Sequence, residues 1–463
     1  MKKLSSILLL LSTFVFIQNA KSTNVSGGIY ANTTWTFANS PYIVTDTVVV
    51  FPGITLTIEA GVVVKFTDHT YLEIRQANIV ASGTSSDSII FTSNSTSPAN
   101  GIWGGIYLNG YTANTTATFN YCSIQFATVA INNYSQQTMY LKNSNLINNH
   151  TGLTSNGTYN FVDSCNFDHN ITSGINGNII GDVNYCSMSY NGIGVDNTRG
   201  NYSHCSINNN QTGFSENNAS WISDCYINFN QTGFSRIEMS SIKNCTIDYN
   251  SIQGIWVGFE GDSLTNCEIK YNGIGVYDQS SSSTQTVITQ CVIENNTTGI
   301  KLTSNHPIIY CNQICSNSSY DLYYNATTNN YNISNNYWCT TDDSTISAHI
   351  FDGYDDISLG LVTFTPVDTV PCFSSAGINT LPANEMYLSI YPIPTTTFLN
   401  IATHLPNNSQ FLIKDIMGRT VYPLTTIYSS QTTINISTLN NGIYFLKVMS
   451  DDKTINRKIV VNK

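Results

Sequence analysis

Charge is scarce in this sequence. Lysine, arginine, aspartate and glutamate together make up 10% of its 463 residues, and 18 basic against 29 acidic side chains leave a net charge of −11. Residues 386–463 hold seven basic and three acidic side chains, so the rest of the chain carries −15. Such a body excludes nucleic acid as a partner and excludes capture of polyanions by bulk charge. It leaves neutral glycans open. Long apolar runs are also lacking. The run from Ile7 to Ile17 is too short to span a bilayer and none of sufficient length follows it, so no transmembrane segment is expected once a leader is removed. No stretch carries a helical period. The leucine framework of a leucine-rich repeat is missing, and so are Ser-His-Asp, zinc and phosphate-loop motifs.

What is present begins with Lys2, Lys3, the Ile7–Ile17 run and Gln18-Asn19-Ala20, which together read as a signal peptide over 1–20. A phrase then repeats from Cys186 to about Ile300: Cys186-x-Met188-x-x-Asn191-x-x-Gly194-Val195, then Cys205-x-Ile207-x-x-Asn210-x-x-Gly213-Phe214, then Cys225-x-Ile227-x-x-Asn230-x-x-Gly233-Phe234. Cys245, Cys267 and Cys291 open further copies. Looser copies start at Cys122, Ser144 and Cys165. A period near twenty means one supersecondary unit stacked many times. Cys and the apolar residue two later share a strand face. Asn is expected to take a left-handed corner and Gly to relieve the next one. Strand, Asn corner, strand, Gly corner describes one coil of an all-β, right-handed parallel β-helix, a single-stranded solenoid. We assign it residues 21–372, roughly fourteen turns, with an N-terminal cap at about 24–40.

This repeat wording resembles that of secreted bacterial polysaccharide-binding and polysaccharide-processing β-helix proteins. The opening strands (Val48-Val49-Val50, Leu56-Thr57-Ile58, Leu72-Glu73-Ile74) resemble their N-terminal coils. Asn335-Asn336-Tyr337-Trp338-Cys339, Ile350-Phe351-Asp352-Gly353 and Gly360-Leu361-Val362 resemble their terminal segment.

Twelve cysteines in an exported chain suggest disulfides. Those from Cys122 to Cys291, however, hold one repeat position. In-register neighbours have Cβ atoms about 4.8 Å apart, wider than a relaxed disulfide, so they read as buried free thiols. Cys311 is expected to end that ladder. Beyond the repeat, Cys315 with Cys339 and Cys311 with Cys372 are the pairings considered, against four free thiols. Five aspartates between 342 and 356 raise calcium, but their spacing matches no calcium loop and aspartate is common in turns, so no cofactor or metal is assigned.

Residues 373–385 read as a linker. From 386 to 463 come seven short strands, a small Ig-like β-sandwich. Tyr391-Pro392-Ile393-Pro394, Asp415-x-x-Gly418-Arg419 and Gly442-Ile443-Tyr444-Phe445-Leu446-Lys447-Val448 resemble the C-terminal sorting domain of the type IX secretion system of Bacteroidota. The resemblance implies the secretion machinery as partner and a secreted or cell-surface destination.

No catalytic residue is assigned. Asp248, Lys270 and Glu294 stack three positions after their cysteines and read as a solvated charge ladder. Arg236, Glu238 and Lys243 beside it are the remaining acid–base set. Four positions after the cysteines lie Tyr190, Asn209, Phe229, Tyr249 and Tyr271. Tyr190, Phe229, Tyr249 and Tyr271 are the candidate ligand contacts, either as a platform for a glycan or as rings packed on one another. The leading expectation is a non-catalytic binding or adhesion protein, with polysaccharide as ligand. A polysaccharide lyase or glycoside hydrolase, and a purely structural surface rod, are the alternatives.

Overall fold

The computed structural model describes residues 22–372 and 388–462, except 111–114, 135–137, 157–159, 178–180, 259–260, 280–284, 304–306, 392–394, 404–408, 417, 427–430 and 451–452. The leader at 1–20, the linker at 373–385 and Pro392 to Pro394 thus lie outside the described residues.

Each repeat folds as three short strands separated by tight corners. In the coil around Cys205 these are Asn201–Ser203, Ser206–Asn208 and Thr212–Ser215. Every strand pairs in parallel with its counterpart one repeat earlier and one later, so three faces run along a solenoid. The first face carries the strands that follow the cysteines, and the second carries the Gly-apolar strands. The third, of thirteen strands, precedes the cysteines. Alternation along each strand sends Ile207, Phe214 and Tyr202 inward, and a continuous apolar core fills the coil from Trp35 to Val362. Thr23–Ile29, placed by the sequence in a cap, forms a parallel rung on Tyr42–Val50.

The two corners differ from the sequence expectation in which residue does what. The asparagine five after each cysteine is not the left-handed residue. That role falls to its predecessor: φ is 54° at Tyr190, 58° at Phe229, 54° at Tyr249 and 57° at Tyr271. Asparagine instead points inward and binds across coils. Asn210 Oδ1 accepts from the backbone N–H of Asn191 (2.8 Å) and from its Nδ2 (3.2 Å), while Asn210 Nδ2 donates to the Met188 carbonyl (3.0 Å). The same bonds recur from Asn149 to Asn317, where Asp321 takes over as terminal acceptor. The glycines are needed for closeness rather than for a corner. A Cβ at Gly213 would lie 2.5 Å from the Gly233 carbonyl oxygen of the next coil.

The eight cysteines Cys122, Cys165, Cys186, Cys205, Cys225, Cys245, Cys267 and Cys291 are buried and unpaired. Their thiols donate to backbone carbonyls, Cys205 to Val183 and Ser203 at 3.3 Å each. Cys311 does not end this column. The residue before each column position is left-handed, and Cys311, at φ 60°, occupies that outer place, so Asn312 holds the inward one and accepts from the Cys291 N–H at 2.9 Å. Cys311 is bonded to Cys372 and Cys315 to Cys339. A thiol reagent is therefore expected to find no reactive cysteine in the native protein, eight after unfolding, and twelve after unfolding with reductant. More than eight without reductant would remove the two disulfides.

The C-terminal unit consists of two antiparallel sheets, Leu388–Tyr391 with Phe398–Thr403 and Gln431–Asn435, and Gln410–Asp415 with Thr420–Thr426, Gly442–Ser450 and Lys453–Val461. Leu399, Ile401, Phe411, Ile413, Leu446 and Ile459 fill its core. Within the Asp-x-x-Gly-Arg phrase, Asp415 accepts from the backbone N–H of Arg419 (2.9 Å) and from its Nε (2.7 Å), closing a turn at left-handed Gly418.

Candidate functional site

The predicted aromatic stripe lies on the outer corner between the first and second faces. Phe229 and Tyr249 stack with centroids 5.2 Å apart and planes 9° apart, and Tyr249 and Tyr271 at 4.8 Å and 10°. Tyr190 stacks on His169, at 5.0 Å. In-register coils hold the rings parallel at nearly the coil pitch, so Tyr249 has both faces covered. Tyr190 and Tyr271, at 41% and 44% exposed, are the more open rings of the stripe.

The charged sets are also rearranged. Asp248, Lys270 and Glu294 do stack in register on the first face, but the ladder is only partly solvated, with Lys270 and Glu294 half-buried and Asp248 buried. Asp248 is only 5% exposed, and burial, then Glu268, push its carboxyl up to about 8 against the opposing pull of Lys270. Lys270 bridges Glu294 at 3.1 Å and Glu268 at 3.4 Å. Arg236, Glu238 and Lys243 do not gather beside it. Arg236 extends from the second face to Glu216 (3.1 Å), Glu238 accepts from Asn218 (2.9 Å), and Lys243 sits on the third face. The aspartates between 342 and 356 serve turns. Asp342 caps the helix Asp343–Ala348 by accepting from the Thr345 N–H, and Asp352 accepts from the N–H groups of Tyr354 and Val362. Among the described residues no three of histidine, cysteine, aspartate and glutamate converge as a metal site.

A groove that sequence reasoning passed over lies on the second face near the start of the solenoid. Tyr71–Arg75 and Trp103–Asn109 pair in parallel with Glu73 opposite Tyr107 and Arg75 opposite Asn109. Alternation buries Leu72, Ile74, Ile106 and Leu108 inward and turns Tyr71, Glu73, Arg75, Tyr107 and Asn109 outward. With Tyr134 these side chains line a cavity of about 490 Å³. Arg75 grips Glu73 through Nε and Nη2, both at 2.8 Å, and Asn109 Nδ2 adds a third donor at 3.1 Å. The Arg75 hydrogen bond, against the opposing effect of burial, holds the Glu73 carboxyl below its ordinary value. Burial and the neighbouring Tyr71 and Tyr134 raise the Tyr107 phenol, which stays a donor. The Arg75 guanidinium lies 5.5 Å from the Phe51 ring centroid, and Tyr71 meets Tyr107 edge to face at 5.1 Å. The groove thus combines aromatic walls with a locked, charge-compensated array of planar hydrogen-bonding groups. The signal for it in the sequence was the alternation Tyr71-x-Glu73-x-Arg75 and Tyr107-x-Asn109.

Three family models match this chain: a secretion system C-terminal sorting domain over residues 389–462, a pectate-lyase like beta helix domain over 27–148, and a right handed beta helix region over 235–351. The chain is a right-handed β-helix protein with a type IX secretion sorting domain. The β-helix protein is accordingly exported to the cell surface or the extracellular space, and its sorting domain engages the secretion machinery. No described helix is long and apolar enough to cross a membrane. Among solved structures the β-helix protein is similar to the tailspike protein of Acinetobacter phage vB_ApiP_P1, at 9% identity and a TM-score of 0.27, over 92% of this chain and 72% of that one. No curated relative matches.

Proposed function

We propose that this exported β-helix protein binds polysaccharide without cleaving it, and that the groove at Tyr71, Glu73, Arg75, Tyr107, Asn109 and Tyr134 is the contact. The observation that carries this reading is the locked Arg75–Glu73–Asn109 array set between tyrosines in one cavity. Planar groups held rigid by one another suit the paired hydroxyls of a sugar, and tyrosine rings suit its apolar face. A charge-compensated array in an acidic body favours a neutral glycan. Catalysis is disfavoured by the same bonds. Most glycoside hydrolases use two carboxyl groups, one of them protonated, whereas among the described residues lining this groove Glu73 is the one carboxylate, held by three donors and below its ordinary value.

The test incubates the protein with xylan, mixed-linkage β-glucan, mannan, polygalacturonate and alginate, following both bound protein and chain length over time. Stable saturable binding to a neutral glycan with no shortening is expected. Tyr107→Ala and Tyr134→Ala are each expected to weaken it about 10-fold, the equivalent of one lost contact of roughly 1.4 kcal/mol. Shortening of the glycan would make the protein a lyase or hydrolase, and binding to none of the five would leave a structural rod.

A further inference from the structure

The outward column that carries Glu73 and Tyr107 continues past the groove. Register takes it rung by rung through Asn132, Thr154, Asn176, Asp196 and Ser215 to Ser235. These side chains are short and polar, and Asn176 donates to Asp196 at 2.8 Å. One rung on, beyond a local irregularity at Arg236, the column becomes aromatic again: Trp256, Tyr277, Lys301, Tyr323 and Phe351 follow in register. Trp256 and Tyr277 stack at 6.1 Å, and Tyr323 and Phe351 at 4.4 Å. Between them the Lys301 ammonium lies 5.5 Å from the ring centroids of both Tyr277 and Tyr323. A lysine held by two rings is a fixed donor rather than a freely moving one.

We propose that this aromatic–lysine cluster is a second contact for the same ligand, so that one extended polysaccharide chain lies along the second face and engages both ends. The inference rests on the groove being a glycan site. Two observations support one shared occupant. The two clusters stand in a single register column, and the track between them carries hydroxyl, amide and carboxylate groups of the kind that bond sugar hydroxyls, with Arg236, paired back to Glu216, at its one irregularity. From Tyr107 to Trp256 the column advances seven rungs, about 34 Å at about 4.8 Å per rung. A short oligosaccharide reaches one end only. A chain of roughly seven or more units reaches both, and its second contact then forms at an effective concentration set by the first.

The experiment measures affinities of the full-length protein for oligomers of three to twelve residues cut from xylan and from mixed-linkage β-glucan. A step is expected between about six and ten residues, with the longest oligomers bound about 100-fold more tightly than trimers, as for two linked contacts. Tyr277→Ala and Lys301→Met are expected to bring the twelve-residue oligomers down to the affinity of the trimers, while Tyr107→Ala weakens every length. Each variant's melting temperature, matched to that of the parent, reports that the solenoid is intact. A smooth rise that levels off by four or five residues, or a step unchanged in both cluster variants, overturns the shared-chain proposal and leaves the groove reading standing. Absence of binding at every length overturns both.

Discussion

Asn230→Ala is expected to destabilise the solenoid by about 3–6 kcal/mol, because four buried hydrogen bonds disappear and each unpaired buried group costs about 1–3 kcal/mol. Asn230 is 2% exposed. Its Oδ1 accepts from the Asn210 backbone N–H at 2.9 Å and from Asn210 Nδ2 at 3.1 Å, and its Nδ2 donates to the Ile207 carbonyl at 3.0 Å and to Asn250 Oδ1 at 3.1 Å. Alanine restores none of these, and the groups left behind sit where water does not reach. The neighbouring Cys225→Ala makes the contrast. It removes one small thiol that donates weakly to carbonyls, at 3.1 Å and 3.7 Å, and accepts at 3.4 Å from the Cys205 backbone N–H, and should cost about 1–2 kcal/mol. Because a solenoid is stabilised coil by coil, the loss should also be local, with hydrogen exchange rising first between about 190 and 250. Urea unfolding of both variants measures the difference. Equal costs for Asn230→Ala and Cys225→Ala would mean that the asparagine column does not hold the coils together.

The second large effect is a stabilisation. Asp248 is buried, with its carboxyl pushed up to about 8 by desolvation and then by Glu268; in the unfolded chain it titrates near 3.9. Between these values the folded state holds a proton that the unfolded state has lost. The stability that Asp248 contributes is therefore fully present below about pH 4 and is lost as pH rises to about 8, by up to about 5 kcal/mol at 1.36 kcal/mol per pH unit. Asp262, pushed by burial up to about 7, adds a slope of the same sign. Asp248→Asn removes the first slope. Asparagine already occupies the same register position in the two preceding coils, as Asn228 and Asn208, so the amide fits the site. The variant should match the parent within about 1 kcal/mol at pH 4.5 and exceed it by about 3–5 kcal/mol at pH 8. Urea midpoints at pH 4.5, 6 and 8 read this out, and a difference that does not grow with pH would contradict it.

Much of the inside of this protein was legible because the repeat writes each inward column as a fixed spacing. Cys186 to Cys291 and the apolar residue two later point into the coil, where each is constrained by the copy above and below, whereas the asparagine five later, expected at a left-handed corner, also turns inward because the residue before it takes that corner. The outside was less legible. Tyr249 was visible as one of a row, but whether its faces are open or covered depends on the 4.8 Å ring separation that stacking imposes. Asp248 looked like a surface charge because its strand position faces outward. Its burial comes from neighbours contributed by adjacent coils. Cys311 looked like the next ladder member, one residue out of phase, and a slip of one residue at a corner moves a side chain from inside to outside.

The sequence alone determined the parallel β-helix, the inward cysteine and apolar columns and the sorting domain, because all three are expressed as residue types at short, repeated or contiguous spacings. Only the tertiary structure decided the groove. Glu73 and Asn109 lie 36 residues apart in coils of irregular length, with no shared phrase to align them. Which outward residues meet is set by strand register, and register is a property of the stacked coils rather than of any one stretch of chain.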